Sequence, residues 1–443
     1  MLQKLKGKVI GLFVAAALTT ASSQAIAQQQ IFHAVVAQDG TGQYSTVQSA
    51  INAAPDNSES PWLIFVKNGS YNEQVIVPKS KRFIHLIGQD KEKTIIHHKL
   101  NVGGKPSGNE PAKQIRYWES SVHNPQAPTY KMKGSVVIID APDFYSENIS
   151  YVNDFGKDSQ SGPQALAMQT NADKISFNNC KFQSFQDTWM TTGNDTARHY
   201  VKDCWIEGAV DYFYGGGNVL AGNCTFYNTR SGAIIVAPCH KEAKWGYVFR
   251  DCTIDGNEAA ANVKKWGVKL GRPWHNSPKT VYIHTTMNIP ISPEGWANMG
   301  AIPTLFAEYN SRDAAGNVLQ LDQRKTEYEG RGENAPKGTS RAVITAEEAA
   351  TYTYENIIPG TDQWNPRMMM KNLPAPEGLK IKDRRLEWKS VKDATGYIVF
   401  SGDRVVGMTR GMYLTLPQYP VMILQVCAVN QYGSLGNKAI LSR

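Results

Sequence analysis

Residues 178–206 read NNCKFQSFQDTWMTTGNDTARHYVKDCWI, and the stretch begins and ends on one short pattern. Asn179 or Asp203 precedes a cysteine, then come one further residue and a large apolar side chain. The pattern returns at Asn223-Cys224 and Asp251-Cys252, and Ile149 takes the cysteine's place after Asn148. Separations of 31, 24, 20 and 28 residues between these marks suit a solenoid whose turns carry loops of unequal length. Short β-rich runs such as SVVIID, KISF, YVFR and TVYIHT lie between them, broken by Gly, Asn and Asp, with few helical periods. The expected fold class is therefore all-β, a right-handed parallel β-helix with a small C-terminal β-sandwich domain. One exception comes early: in STVQSAINAAP, Val47, Ala50, Ile51 and Ala54 share a helical face that Ser45 or Thr46 can cap. Such a helix would close the open first end of the apolar bore.

The register of a coiled parallel sheet turns sequence offsets into neighbours, because adjacent strands lie about 4.8 Å apart. Asp187 follows Cys180 by seven residues, and Asp211 follows Cys204 by seven. The two aspartates are thus expected at equivalent places on successive coils, facing one substrate. Two such carboxylates cannot both ionise cheaply, so one is driven to keep its proton unless a cation intervenes. Arg272, in LGRPW one unit beyond Cys252, is the available cation. Bound to one aspartate, it would hold that group ionised and leave its partner to carry a proton. A purely structural ladder of Asp and Arg along the coil is the alternative from the residues alone.

The 443-residue chain opens with Lys4, Lys6 and Lys8, an apolar run VIGLFVAAAL, and AIA at 25–27. This has the form of a secretory signal peptide cleaved after about Ala27, which places the mature protein outside the cytoplasm, secreted or periplasmic. No other stretch approaches the length of a membrane span. The mature chain carries 44 basic and 39 acidic side chains, a net +5 that suits a polyanion without a dense basic stripe for nucleic acid. Exported cysteines ordinarily suggest disulfides. A column of them one coil apart is better read as small side chains stacked inside the bore.

With these residues in place, the chain resembles the pectin methylesterases. The matching stretches are VAQDGTGQYSTVQSAINAAP (36–55), NGSYNEQVIVP (68–78), GPQALAM (162–168), FQDTW (185–189), VDYFYG (210–215), LGRPW (270–274), PEGW (293–296) and FAEYN (306–310). They stand in the family's order and cover about residues 32–366. The resemblance implies that Asp211 is the nucleophile toward a methyl ester, with Asp187 as acid and then base. It implies that Gln164 and Gln186 donate to the oxyanion, that Arg272 orients Asp211, and that Trp274 stacks on a sugar ring. It further implies methyl-esterified homogalacturonan as substrate, no metal or organic cofactor, and a monomer. Trp189 and Met190 stand where the family has leucine and tyrosine, and DYFYG replaces DFIFG, so Met190, Tyr212 and Tyr214 would reshape the cleft walls.

Other readings remain at this stage: a β-helix lyase or hydrolase, an esterase for a different ester, or a polysaccharide-binding solenoid without catalysis. Residues 101–134 are polar and Gly/Pro-rich, and are expected to form a loop bordering the cleft. The expected domains are a signal peptide at 1–27, the catalytic β-helix at 28–366, a linker at 367–376 and a sandwich at 377–443. The last alternates as LKIKD, RLEWKSV, GYIVFSGD, RVVGMT and LQVCAVNQYG. It resembles a short fibronectin type III domain, with Trp388 and Tyr397 in its core and Cys427 a buried lone thiol.

Overall fold

The structure, a computed structural model, describes residues 30–102, 134–262, 267–418 and 422–441. The proposed signal peptide and most of the 101–134 insertion lie outside the described residues. Among the described residues two compact units are present: Ala34–Met370, and the described residues from Lys371 onward together with residues 30–33.

In the larger unit, the described residues form parallel sheets of ten, seven and nine strands. Apart from the first and last coils, every third strand in sequence falls in the same sheet, so each full coil gives one strand to each of three faces. This is a parallel β-helix, as the repeat predicts. The cysteine pattern marks one of its corners. Lys181 N donates to Ile149 O (3.0 Å), Trp205 N to Cys180 O (2.9 Å), Thr225 N to Cys204 O (2.8 Å) and Thr253 N to Cys224 O (2.8 Å). The residue ahead of each mark has left-handed backbone, with φ of 58° at Asn148, 48° at Asn179, 54° at Asp203, 52° at Asn223 and 55° at Asp251. Asn and Asp tolerate that conformation best among residues with a side chain, which explains the pattern. The corner continues through His284-Thr285 (φ 53°) and Asn310-Ser311 (φ 51°). Cys180, Cys204, Cys224 and Cys252 are buried thiols outside any disulfide, so the column packs rather than cross-links.

The bore is filled by a run of aromatic rings. Phe182 stacks on Trp189 with centroids 4.4 Å apart, and Trp189, Phe213, Phe226 and Phe249 follow edge to face. Such contacts add to the burial of their large apolar area. At the first end, the helix Val47–Asn52 is capped by Thr46, whose side chain accepts from Ser49 N, and Val47, Ala50 and Ile51 are fully buried. Its six residues are fewer than the apolar pattern spans. On the outer face of the ten-stranded sheet, Tyr200, Leu220, Val248 and Val281 are covered by Tyr354, Ile357 and Trp364. Arg198 fastens that cover by bridging Asp173 (2.8 Å) and Asp362 (2.7 Å). The helices Ala346–Thr351 and Tyr354–Ile357 in this segment carry a signal that the sequence reading passed over, a capping box between Thr345 and Glu348.

In the smaller unit, an antiparallel sheet of Lys380–Lys382, Arg385–Glu387 and Tyr413–Thr415 accompanies a four-stranded one in the order Arg404–Thr409, Gly396–Ser401, Leu424–Val429, Leu435–Leu441. Trp388 and Tyr397 meet in its core at 5.3 Å, and Val391 N donates to the Tyr397 hydroxyl (2.8 Å). Cys427 is fully buried. Leu373 also belongs to this core, inside the proline-marked stretch.

Candidate active site

The strands Leu166–Thr170, Trp189–Thr191 and Val210–Gly215 are consecutive neighbours in the seven-stranded sheet. Their register pairs Trp189 with Phe213, and an isolated bridge pairs Gln186 with Val210. Asp187 and Asp211 therefore stand at matching positions on adjoining coils, and Asp187 N donates to Val210 O at 3.0 Å. Each sits at a corner with left-handed backbone, φ 60° for Asp187 and 49° for Asp211. The register on the far side of Asp211 slips between Val210 and Phe213. Such a bulge turns a side chain away from the regular alternation. Gly215 closes the same strand at φ 111°, where an added Cβ would meet Thr191 O at 2.3 Å, so no larger residue fits.

Arg272 comes from the second coil after Asp211, its N–H held by Val236 O at 2.9 Å. Its guanidinium grips Asp211 with both prongs, Nε to Oδ1 at 2.8 Å and Nη2 to Oδ2 at 2.5 Å. The two aspartates are buried, 8% and 6% exposed, yet only one has this partner. Burial, and then repulsion from Asp211, push the Asp187 carboxyl well above the usual range, while Arg272, Gln186 and Tyr214 oppose the rise. Burial lifts Asp211 as well, but its direct bonds to Arg272 work against that, and the charge of Arg331 adds to them. A pair split in this way has one proton to share, and that proton belongs on Asp187.

Gln164 and Gln186 are half-buried on neighbouring coils, with Ala165 N bonded to Gln186 O at 3.1 Å. Met190, Tyr214 and Trp274 are nearly covered, at 2%, 3% and 7% exposure, and pack with Val102, Leu166, Ala237 and Cys239 in an apolar cluster beside the aspartates. Tyr214 lies edge-on to Trp274, with ring centroids 5.6 Å apart. Tyr212 turns inward and bonds Asn228 at 3.3 Å, so it is core, not a wall of the cleft. The sequence reading missed Arg331. It is exposed on the loop joining Glu327–Glu329 to Lys337–Thr339, a hairpin whose Glu329 N reaches Asn298 Oδ1 (3.3 Å). Gly300 N in turn bonds Pro273 O (3.0 Å), next to Arg272. Among the described residues, no three or more His, Cys, Asp or Glu are grouped as metal ligands, and no helix is long and apolar enough to cross a membrane.

Residues 33–360 match the model of the family described as Pectinesterase. The chain belongs to the pectinesterase family. Members of this family are carboxylic ester hydrolases. A pectinesterase of Petunia integrifolia is 30% identical over 380 residues, which cover 82% of this chain and 90% of that protein. The Arabidopsis thaliana protein named probable pectinesterase/pectinesterase inhibitor 58 is 32% identical over 297 residues, covering 65% of this chain. The matched region spans about half, 47%, of that relative's length. Among solved structures, pectin methylesterase from carrot superposes with a TM-score of 0.59 at 24% identity, over 75% of this chain and 94% of the carrot protein. That likeness is one of fold.

Proposed function

We propose that this pectinesterase-family chain hydrolyses methyl esters of homogalacturonan through an acyl-enzyme on Asp211. The observation that carries the reading is the split pair: a carboxylate fixed by a two-pronged arginine beside a buried carboxyl pushed toward its protonated form. Asp211 attacks the ester carbonyl, and the amides of Gln164 and Gln186 donate to the oxygen that becomes negative. The tetrahedral adduct collapses as protonated Asp187 gives its proton to the departing methoxide, so methanol leaves and the acyl group stays on Asp211. Asp187, now a carboxylate, takes a proton from water as the water attacks the acyl carbonyl, which frees Asp211 and restores the proton to Asp187. Arg272 supports the carboxylate before and after.

Neutral amide donors beside the aspartates favour acyl chemistry over glycosidic cleavage, which needs its two carboxyls on either side of a glycosidic oxygen. The relatives' names and the exposed Arg331 both agree with a polyuronate. A secretory leader at 1–27 would carry the protein to such a substrate in the periplasm or outside the cell. The seven strands of the smaller unit, three in one antiparallel sheet and four in the other, support its reading as a fibronectin type III-like module. A different ester is the second reading, since acyl chemistry does not itself select methyl galacturonate. The full chain incubated with highly methylated homogalacturonan, assayed together for methanol, new reducing ends and unsaturated uronate, tests the first. Methanol alone is the expected product; chain scission without methanol would overturn it.

A further inference from the structure

The Tyr214 hydroxyl is buried and completes no hydrogen bond of ordinary geometry among the described residues, although it stands near enough to Asp187 to pull that carboxyl toward ionisation. A buried hydroxyl without a partner is unfavourable, and phenylalanine would fill the same space without it. The ring itself is held fast. It stands between Met190 and Ala237 in the register of the sheet and edge-on to Trp274. After burial, the group that acts most strongly on the hydroxyl is Asp187, followed by Tyr247, Asp211 and Cys239. Asp187 in turn faces Asp211, Arg272, Gln186 and Tyr214. Arg272 bonds Asp211 through Nε and Nη2, so the carboxylate that forms on Asp187 after methanol leaves feels its charge without a direct bond to it.

We propose that Tyr214 is a positioning residue for Asp187, its hydroxyl donating a hydrogen bond to the Asp187 carboxylate in the half of the cycle when that group is ionised. In the resting site Asp187 keeps its proton, and the hydroxyl lies beside it without completing the bond. When the proton passes to methoxide, the bond forms, steadies the carboxylate and aims it at the incoming water. When water returns the proton, the bond is released. The inference rests on the aspartyl esterase reading above, and it assigns Tyr214 a task through its oxygen that a cleft wall would not need.

The test is Tyr214→Phe in the full chain, followed by methanol release across pH. The acylation rate requires protonated Asp187, so losing the hydroxyl should move the alkaline limb of kcat/KM upward by about one pH unit. At neutral pH kcat should fall several-fold, because deacylation has lost its oriented base, and KM should fall with it, since kcat/KM reports acylation alone. Replacing Tyr214 with 3-fluorotyrosine, a stronger donor, should return the limb to or below its original place. An unmoved limb would overturn the proposal, whether KM rises, meaning that the hydroxyl touches substrate, or stays the same, meaning that Tyr214 only packs. An infrared titration of the Asp187 carboxyl, assigned with Asp187→Asn, reads the same link without substrate. Its midpoint should rise in Tyr214→Phe. A wild-type protein that releases no methanol would sink the esterase reading, and the infrared titration would still decide the link between Tyr214 and Asp187.

Discussion

Two corners of the same coil carry the same left-handed backbone and put it to opposite uses. At one, Asn179, Asp203, Asn223 and Asp251 turn the chain so that Cys180, Cys204, Cys224 and Cys252 stack in the bore, where each coil repeats its neighbour. At the other, the left-handed residues are Asp187 and Asp211 themselves, and the coils there differ: one carboxyl has an arginine and the other does not. Repetition suits a core, since equal neutral side chains add the same packing at every step. Chemistry needs the repetition broken. Two aspartates in identical surroundings would titrate alike, whereas Arg272, reaching from two coils away to bond Asp211 alone, gives them the different surroundings that the proposed nucleophile and proton carrier require.

If that contrast is right, changes at the two corners should fall on different observables. The largest effect is expected from Arg272→Gln, which leaves Asp211 buried without its partner. The kcat/KM for methanol release should fall about a thousandfold, in line with the ~3–5 kcal/mol cost of breaking a buried pair. Gln186→Ala removes one oxyanion donor and should lower kcat about a hundredfold, or ~3 kcal/mol, with KM little changed. Stability should respond to Asp187 in a direction set by its raised pKa. The protonated form favours the fold, so the stability it contributes is complete at acid pH and is lost as pH rises through the raised value. Asp187→Asn cannot ionise, and should therefore be inactive yet more stable than wild type by about 1 kcal/mol near pH 8, with the gain vanishing near pH 4 in denaturant titrations. Cys204→Ser places a hydroxyl in the column and should cost about 1 kcal/mol of stability while leaving kcat unchanged. A ladder variant that lost activity while keeping stability would erase the distinction between the corners.

The repeat was readable because each coil re-uses one short signature, and the equal offset from Cys180 and Cys204 was enough to place Asp187 beside Asp211. The column's continuation through Thr285 and Ser311 was not seen, since a small residue fills the place but the cysteine is gone. Arg272 was identified as the cation, but its two-pronged grip across an intervening coil depends on geometry that spacing does not carry. Arg331 left no trace in the sequence, because only the docking of a hairpin brings that loop toward Arg272. In the smaller unit, Tyr413–Thr415 and Leu435–Leu441 were passed over. The first is only three residues long, and the second presents Asn437 and Lys438 to solvent, so neither shows clean alternation.

The most direct test of the account is Asp211→Asn, with methanol release and binding to methyl-esterified homogalacturonan measured on one preparation. Loss of methanol release with binding kept within a few-fold of wild type is the predicted result, because asparagine preserves the shape of the group but not its nucleophilic charge. Methanol release at the wild-type rate would contradict it, and with it the assignment of Asp211 as the residue that carries the acyl group.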